Sequence, residues 1–192
     1  MDFQHVNVKF LVKNPEAVDL ALLIPVFHRW IQGQVCEELL LDIADYSHVP
    51  EGPGILLIGH QADYSVDNRN GRLGVRYNRK APFDGTNQDR LKQAACSALK
   101  ALQRLEREAA LGGKISFNAH DVELFINDRM LAPNREDTRR ALEPDFKALF
   151  DKLFRGTEYS LSYDTDPRRL LWLSARSSKT FSIAELISNL SS

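Results

Sequence analysis

Cysteine is scarce: Cys36 and Cys96 are the only two, 60 residues apart and outside any Cys-x-x-Cys motif. A disulfide scaffold is therefore not expected, and a reducing, cytoplasmic setting is. Long apolar runs are missing as well. None approaches the roughly 18–20 residues that a membrane helix needs, and MDFQHVNVKF has no basic segment leading into an apolar one, as a signal peptide would. Neither sign of charge prevails. A formal net charge of −1 gives no general attraction to nucleic acid or to an anionic membrane, so neither is expected as a partner. The phosphate-binding glycine motifs GxGxxG and GxxxxGK[ST] are absent, and so is the GxSxG nucleophile elbow. No HExxH, His-x-His or His-x-x-x-His spacing points to a metal, and none is assigned. No cofactor is assigned either.

What remains is a chain of 192 residues, 43% hydrophobic and 27% charged, long enough to bury a core without staples. Its pattern predicts one α+β domain over residues 1–192, with a mainly antiparallel sheet covered by amphipathic helices. Val6, Val8, Phe10 and Val12 alternate with polar residues, as in a half-buried strand. Asn14-Pro15-Glu16 opens a helix that carries Pro25 inside it, which predicts a kink or a break there, and Gly33 ends it. Leu39 to Tyr46 and Ile55 to His60 are predicted strands around a Pro/Gly turn, and Arg72 to Asn78 a further one. A long helix is expected over about 87–110, then short strands at 115–117 and 122–126. A capped helix follows from Asn134, with Pro144 interrupting its apolar stripe. A hairpin at 159–163 and 170–175 and a last helix from Ile183 complete the chain.

The halves echo each other. A strand, an Asn-started helix with an internal proline and a strand hairpin occur over 1–80 and again over 114–178. Two related β-α-β-β units would produce this. So would independent units shaped by the same physics.

Charge is segregated in the middle of the chain. Between Glu37 and Asn68 there are seven acids and no lysine or arginine; between Arg69 and Lys80 there are five bases and no acid. Arg72, Arg76 and Lys80 fall on one strand face by the period of two. Two readings follow. Neighbouring acidic and basic strands pair across the sheet, or the guanidiniums fork onto a carboxylate or phosphate ligand. Tyr46, His48, His60 and Tyr64 gather near these bases in sequence, and Ala-Asp-Tyr-Ser is written twice, at 44–47 and 62–65. Asp and Ser in that motif suit a strand end, where they cap the turning backbone.

The ligand-binding candidates are therefore Tyr46, His48, His60, Tyr64, Arg72, Arg76 and Lys80. Together they suggest a binding or accessory protein for a small anionic ligand around residues 45–80. A protein–protein interaction module, including a homo-oligomer, is an alternative. A third reading comes from a resemblance. The His5-Val6-Asn7-Val8 strand followed by a helix and three strands resembles, over about the first 80 residues, the βαβββ module of the glyoxalase-like (vicinal oxygen chelate) superfamily. The resemblance implies a metal-dependent enzyme with ligands on strand faces, at His5, His60 and His120. The chain departs from that pattern at Pro25 and in its strand-borne glutamates.

Overall fold

The computed structural model describes residues 1–191 and has an eight-stranded sheet with four α-helices. In chain order these are β1 (Val6–Val12), α1 (Leu23–Gly33), β2 (Leu40–Tyr46), β3 (Gly54–Gly59), β4 (Ala62–Asp67), β5 (Gly74–Arg79), α2 (Asn87–Glu106), β6 (Phe117–Ile126), α3 (Glu136–Leu153), β7 (Tyr159–Tyr163), β8 (Leu171–Ser177) and α4 (Ile183–Ser191). The sheet order is β2-β3-β4-β5-β1-β6-β8-β7, and every neighbouring pair is antiparallel. The α+β class with a mainly antiparallel sheet is thus the observed one.

Several boundaries differ from the expected ones, each for a physical reason. The first helix does not start at Asn14. Two 3-10 turns, Pro15–Ala17 and Leu20–Leu22, come first, and the Asp19 carboxylate accepts the Ala21 N–H at 3.0 Å. This puts Pro25 in the first turn of α1, where its missing N–H costs nothing, so the break precedes the proline. Pro144, by contrast, lies inside α3 and does not end it. Burial of Leu142, Phe146, Leu149, Phe150 and Leu153 outweighs the roughly 3 kcal/mol that an interior proline costs. The strand candidates at 115–117 and 122–126 are parts of one long β6, whose pairing with β1 shifts register between Phe10 and Leu11. Finally, β4 is a strand where the sequence suggested only a strand end. The first half therefore carries four strands after its helix and the second half two.

The period of two divides the sheet into two faces. Val8, Phe10, Tyr64, Val66, Val75, Tyr77, Val122, Leu124, Leu171 and Leu173 join the apolar stripes of the helices in a single core cluster. Within it α2 packs on β1 and β5, α1 on β2 and β3, and α4 on β6. The opposite face carries Asp63, Ser65 and Asp67 on β4, Arg76 and Asn78 on β5, Asn7 and Lys9 on β1, and Asp121, Glu123 and Phe125 on β6. No helix lies over it among the described residues, yet every residue of β1 and β4 is buried.

Candidate functional site

The burial of that open face has its origin in how charge is laid out along the registers. Ser65, Arg76, Lys9, Glu123 and Ser174 stand side by side on five adjacent strands. At its centre Lys9 Nζ lies 2.7 Å from Asp67 Oδ1, both side chains 2% exposed. Asp67 also faces Arg76 Nε at 3.5 Å and accepts the Arg69 N–H at 3.2 Å. From the turn before β5, Arg72 reaches across β1 and spans Asp121 (3.0 Å) and Glu123 (2.6 Å), while Arg176 of β8 approaches Asp121 at 2.7 Å. The long arginine stems lie over the strands and cover them, so lysine and carboxylates become buried without a second layer of structure.

Desolvation leaves its mark on this network. Burial pushes the Glu123 carboxyl above the usual range, against the pull of Lys9 and Arg72. Burial likewise lowers Arg76's hold on its proton, with Asp67 opposing; the guanidinium still stays charged near neutral pH. Arg76 Nε and Asn78 Oδ1 are buried side-chain atoms without a hydrogen-bond partner.

Two corners of the sheet frame a groove on this face. One is the 3-10 turn Arg69–Gly71, tied to the β2–β3 hairpin by the Asn70 N–H donating to Glu51 at 2.8 Å. The other is the β7–β8 loop. Buried Asn134 donates there to the carbonyls of Asp164 (3.0 Å) and Asp166 (2.9 Å), and the Asp166 N–H closes a turn onto Asp164 Oδ1 at 2.8 Å. A sheet with the ordinary right-handed twist brings opposite corners toward the same face. Between them lies a cavity of about 510 Å³ lined by Arg69, Arg129, Arg168, Arg169, Phe125 and Trp172, with Glu51 and Asp164 among the remainder. Phe125 and Trp172 are register partners whose ring centres are 6.3 Å apart at 53°.

Its charges are unevenly satisfied. Arg168 forks onto Asp166 with two 3.0 Å contacts, which hold that carboxyl down at about 2, and Arg169 lies 3.2 Å from Asp164. The guanidiniums of Arg69 and Arg129, both exposed residues, have no carboxylate partner among the described residues.

The residues singled out from sequence do not meet in one hollow. Tyr46 is 41% exposed at the end of β2, and His48 is exposed in the turn that follows. His60 sits in the β3–β4 turn, its N–H donating to Leu39 O at 2.8 Å. All six residues of β3, about 20 Å of strand, separate the two histidines. Tyr64 points the other way, into the helix side, where its hydroxyl donates to Glu38 at 2.7 Å. Arg72, Arg76 and Lys80 do share the open face, but acids answer them: Asp121 and Glu123 for Arg72, Asp67 for Arg76, and Asp63 at 2.7 Å for Lys80. The expected convergence fails because β4 intervenes between β3 and β5, and its alternation sends Tyr64 and the Asp63–Asp67 pair to opposite sides. In the Ala44–Ser47 copy of the repeated motif, Asp45 does cap the strand end, accepting the Ser47 N–H at 2.8 Å.

His5, His60 and His120 are also apart. His5 and His120 lie toward opposite ends of β6, and His60 is separated from β1 by β4 and β5. Among the described residues no three His, Cys, Asp or Glu side chains gather as metal ligands.

Comparison with protein-family models, with curated proteins and with solved structures finds no match.

Sequence reasoning missed Phe125, Arg129, Arg168, Arg169 and Trp172. The Arg168-Arg169 doublet beside a turn was a visible signal, but pairing Phe125 with Trp172 required the register.

Proposed function

We propose that this protein is a binding protein whose ligand is a small aromatic anion, held in the groove across the open face of the sheet. The observation that carries this reading is the pairing of two unneutralised guanidiniums, Arg69 and Arg129, with two aromatic rings in one cavity. Its volume falls within the roughly 300–1,000 Å³ usual for small-molecule sites. A ring of the ligand stacks against Trp172 or Phe125, and a phosphate or carboxylate meets the arginines. Asp164 and Asp166 keep Arg168 and Arg169 in place and soften the positive field. Such a division, with some arginines held and others free, suits reversible binding of one charge-dense group. The site departs from the expected 45–80 segment but keeps three of its residues, Glu51, Arg69 and Asn70.

Strand addition at β2, the route by which a protein partner would dock on this edge, has an observation against it. Gln34 accepts the Leu40 N–H (3.0 Å) and donates to its carbonyl (2.9 Å), and Asp42 takes the Ile43 N–H (2.8 Å). Side chains thus occupy part of the free edge.

Calorimetric titration tests the reading. Phenyl phosphate is expected to bind more tightly than inorganic phosphate or benzyl alcohol, each of which offers only half of the recognition. Arg129→Ser should weaken phenyl phosphate binding about tenfold, the equivalent of 1.4 kcal/mol. Equal affinity for all three probes, or an Arg69→Ser/Arg129→Ser protein that binds unchanged, would overturn it.

A further inference from the structure

A second cavity lies on the helix side of the sheet, unconnected with the groove. About 530 Å³ in volume, it opens between the α1–β2 connection and the last turns of α2, and its lining includes Cys36, Tyr64, Ser97, Arg104 and Arg107. Beneath it sits Glu38, 4% exposed. Three hydroxyls surround that carboxylate: Tyr64 at 2.7 Å, Tyr77 at 2.8 Å and Ser97 at 3.4 Å. No lysine or arginine pairs with it among the described residues, an uncommon state for a buried acid.

The hydrogen bookkeeping sets the polarity of the cavity. A phenol has one hydrogen, and Tyr64 commits its own to Glu38, so toward the neighbouring Cys36 thiol and the cavity its oxygen can only accept. Ser97 donates toward the same carboxylate while accepting from Gln93 at 3.1 Å. Burial pushes the Cys36 thiol up to about 11, so it brings no negative charge of its own. The floor is therefore rich in acceptors and backed by an anion. The rim is the reverse. Lys100 is taken by Glu37, and Glu108 is occupied by Arg29 (3.0 Å) and the Trp30 indole N–H (2.6 Å). Arg104, over the Trp30 ring at 5.9 Å, and Arg107 keep guanidinium hydrogens with no carboxylate to receive them among the described residues.

We infer that this cavity binds a zwitterionic amino-carboxylate, its ammonium inward against Tyr64 and Ser97 above Glu38 and its carboxylate outward on Arg104 and Arg107. An ammonium supplies strong donors, where the floor offers only the weak Cys36 S–H, and the counter-charge that Glu38 lacks. A simple anion would satisfy the rim and meet an electronegative floor; a simple amine would do the opposite. The inference does not depend on the groove being a binding site.

Calorimetry with a chain-length series decides it: glycine, 4-aminobutanoate and 6-aminohexanoate, against hexanoate and hexylamine. The best-spaced zwitterion should bind at least tenfold more tightly than either single-charge compound. Arg107→Met, on the exposed rim, should erase that advantage over the amine, while an Arg129→Ser protein, altered only in the groove, binds the zwitterion unchanged. Absence of binding across the series to a protein with wild-type circular dichroism overturns the inference. So does hexanoate or hexylamine matching the best zwitterion, or Arg107→Met leaving its affinity intact.

Discussion

The two faces of one sheet are buried by different means. On β1, Phe10 is covered by helices in an apolar core, while its neighbour Lys9 is covered by an arginine network reaching across the strands. The first face gains stability from area removed from water, about 25 cal/mol per Å². The second gains little net energy, because desolvating the charges nearly offsets their attraction. What the second face gains is shape: a polar floor whose corners rise into an arginine-lined groove. An apolar version of this face would have needed a second layer of structure, and that layer would have filled the groove.

The comparison breaks most readily at Lys9. Lys9→Ala leaves Asp67 buried without its closest cation and should cost about 3–5 kcal/mol in urea unfolding, as much as emptying the apolar side with Phe10→Ala. The two losses differ in kind. Lys9→Met combined with Asp67→Asn should show a coupling of about 1–3 kcal/mol in a double-mutant cycle; no coupling would mean that the pair contributes only packing. Arg72→Ala comes next. It leaves Asp121 and Glu123 short of donors, and a loss of about 1–3 kcal/mol is expected from the same unfolding measurement.

The smallest effect is a pH dependence. Burial raises the folded pKa of Glu123 above its unfolded value, so the folded state binds this proton more tightly than the unfolded chain does. Its contribution to stability is full below the ordinary glutamate range and is lost as pH rises through the raised value. Glu123→Gln mimics the protonated form. The urea midpoint of wild type relative to this variant should therefore fall as pH rises above the ordinary glutamate range, and a rise would contradict the sign.

Much of the covered face was legible in the sequence. Val6, Val8, Phe10 and Val12 announce a strand and a buried side, and Leu91, Ala95, Ala98, Leu102 and Leu105 announce the helix that covers it. The open face was harder to foresee. Alternation assigns Lys9 to the side opposite Phe10, but it says nothing about whether that side is wet, since burial there comes from Arg72, sixty-three residues later in the chain. Arg72, Arg76 and Lys80 were placed on a common face correctly; half of their partners, Asp121 and Glu123, come from β6, a pairing that local sequence does not encode. Ala62-Asp63-Tyr64-Ser65-Val66-Asp67 has the period of a strand, yet its short polar residues also suit a turn. Treating it as a strand end was what brought Tyr64 to the wrong side. The groove itself depends on the twist of eight strands, a property of no single segment.

Mapping of backbone amide shifts during titration with phenyl phosphate tests the site most directly. Occupancy of the groove would move Arg69, Asn70, Arg129 and residues 168–172 together with the Trp172 indole N–H, and leave the α2 face still. Shifts confined to the helix side, or scattered over surface lysines with no movement at Trp172, would contradict it.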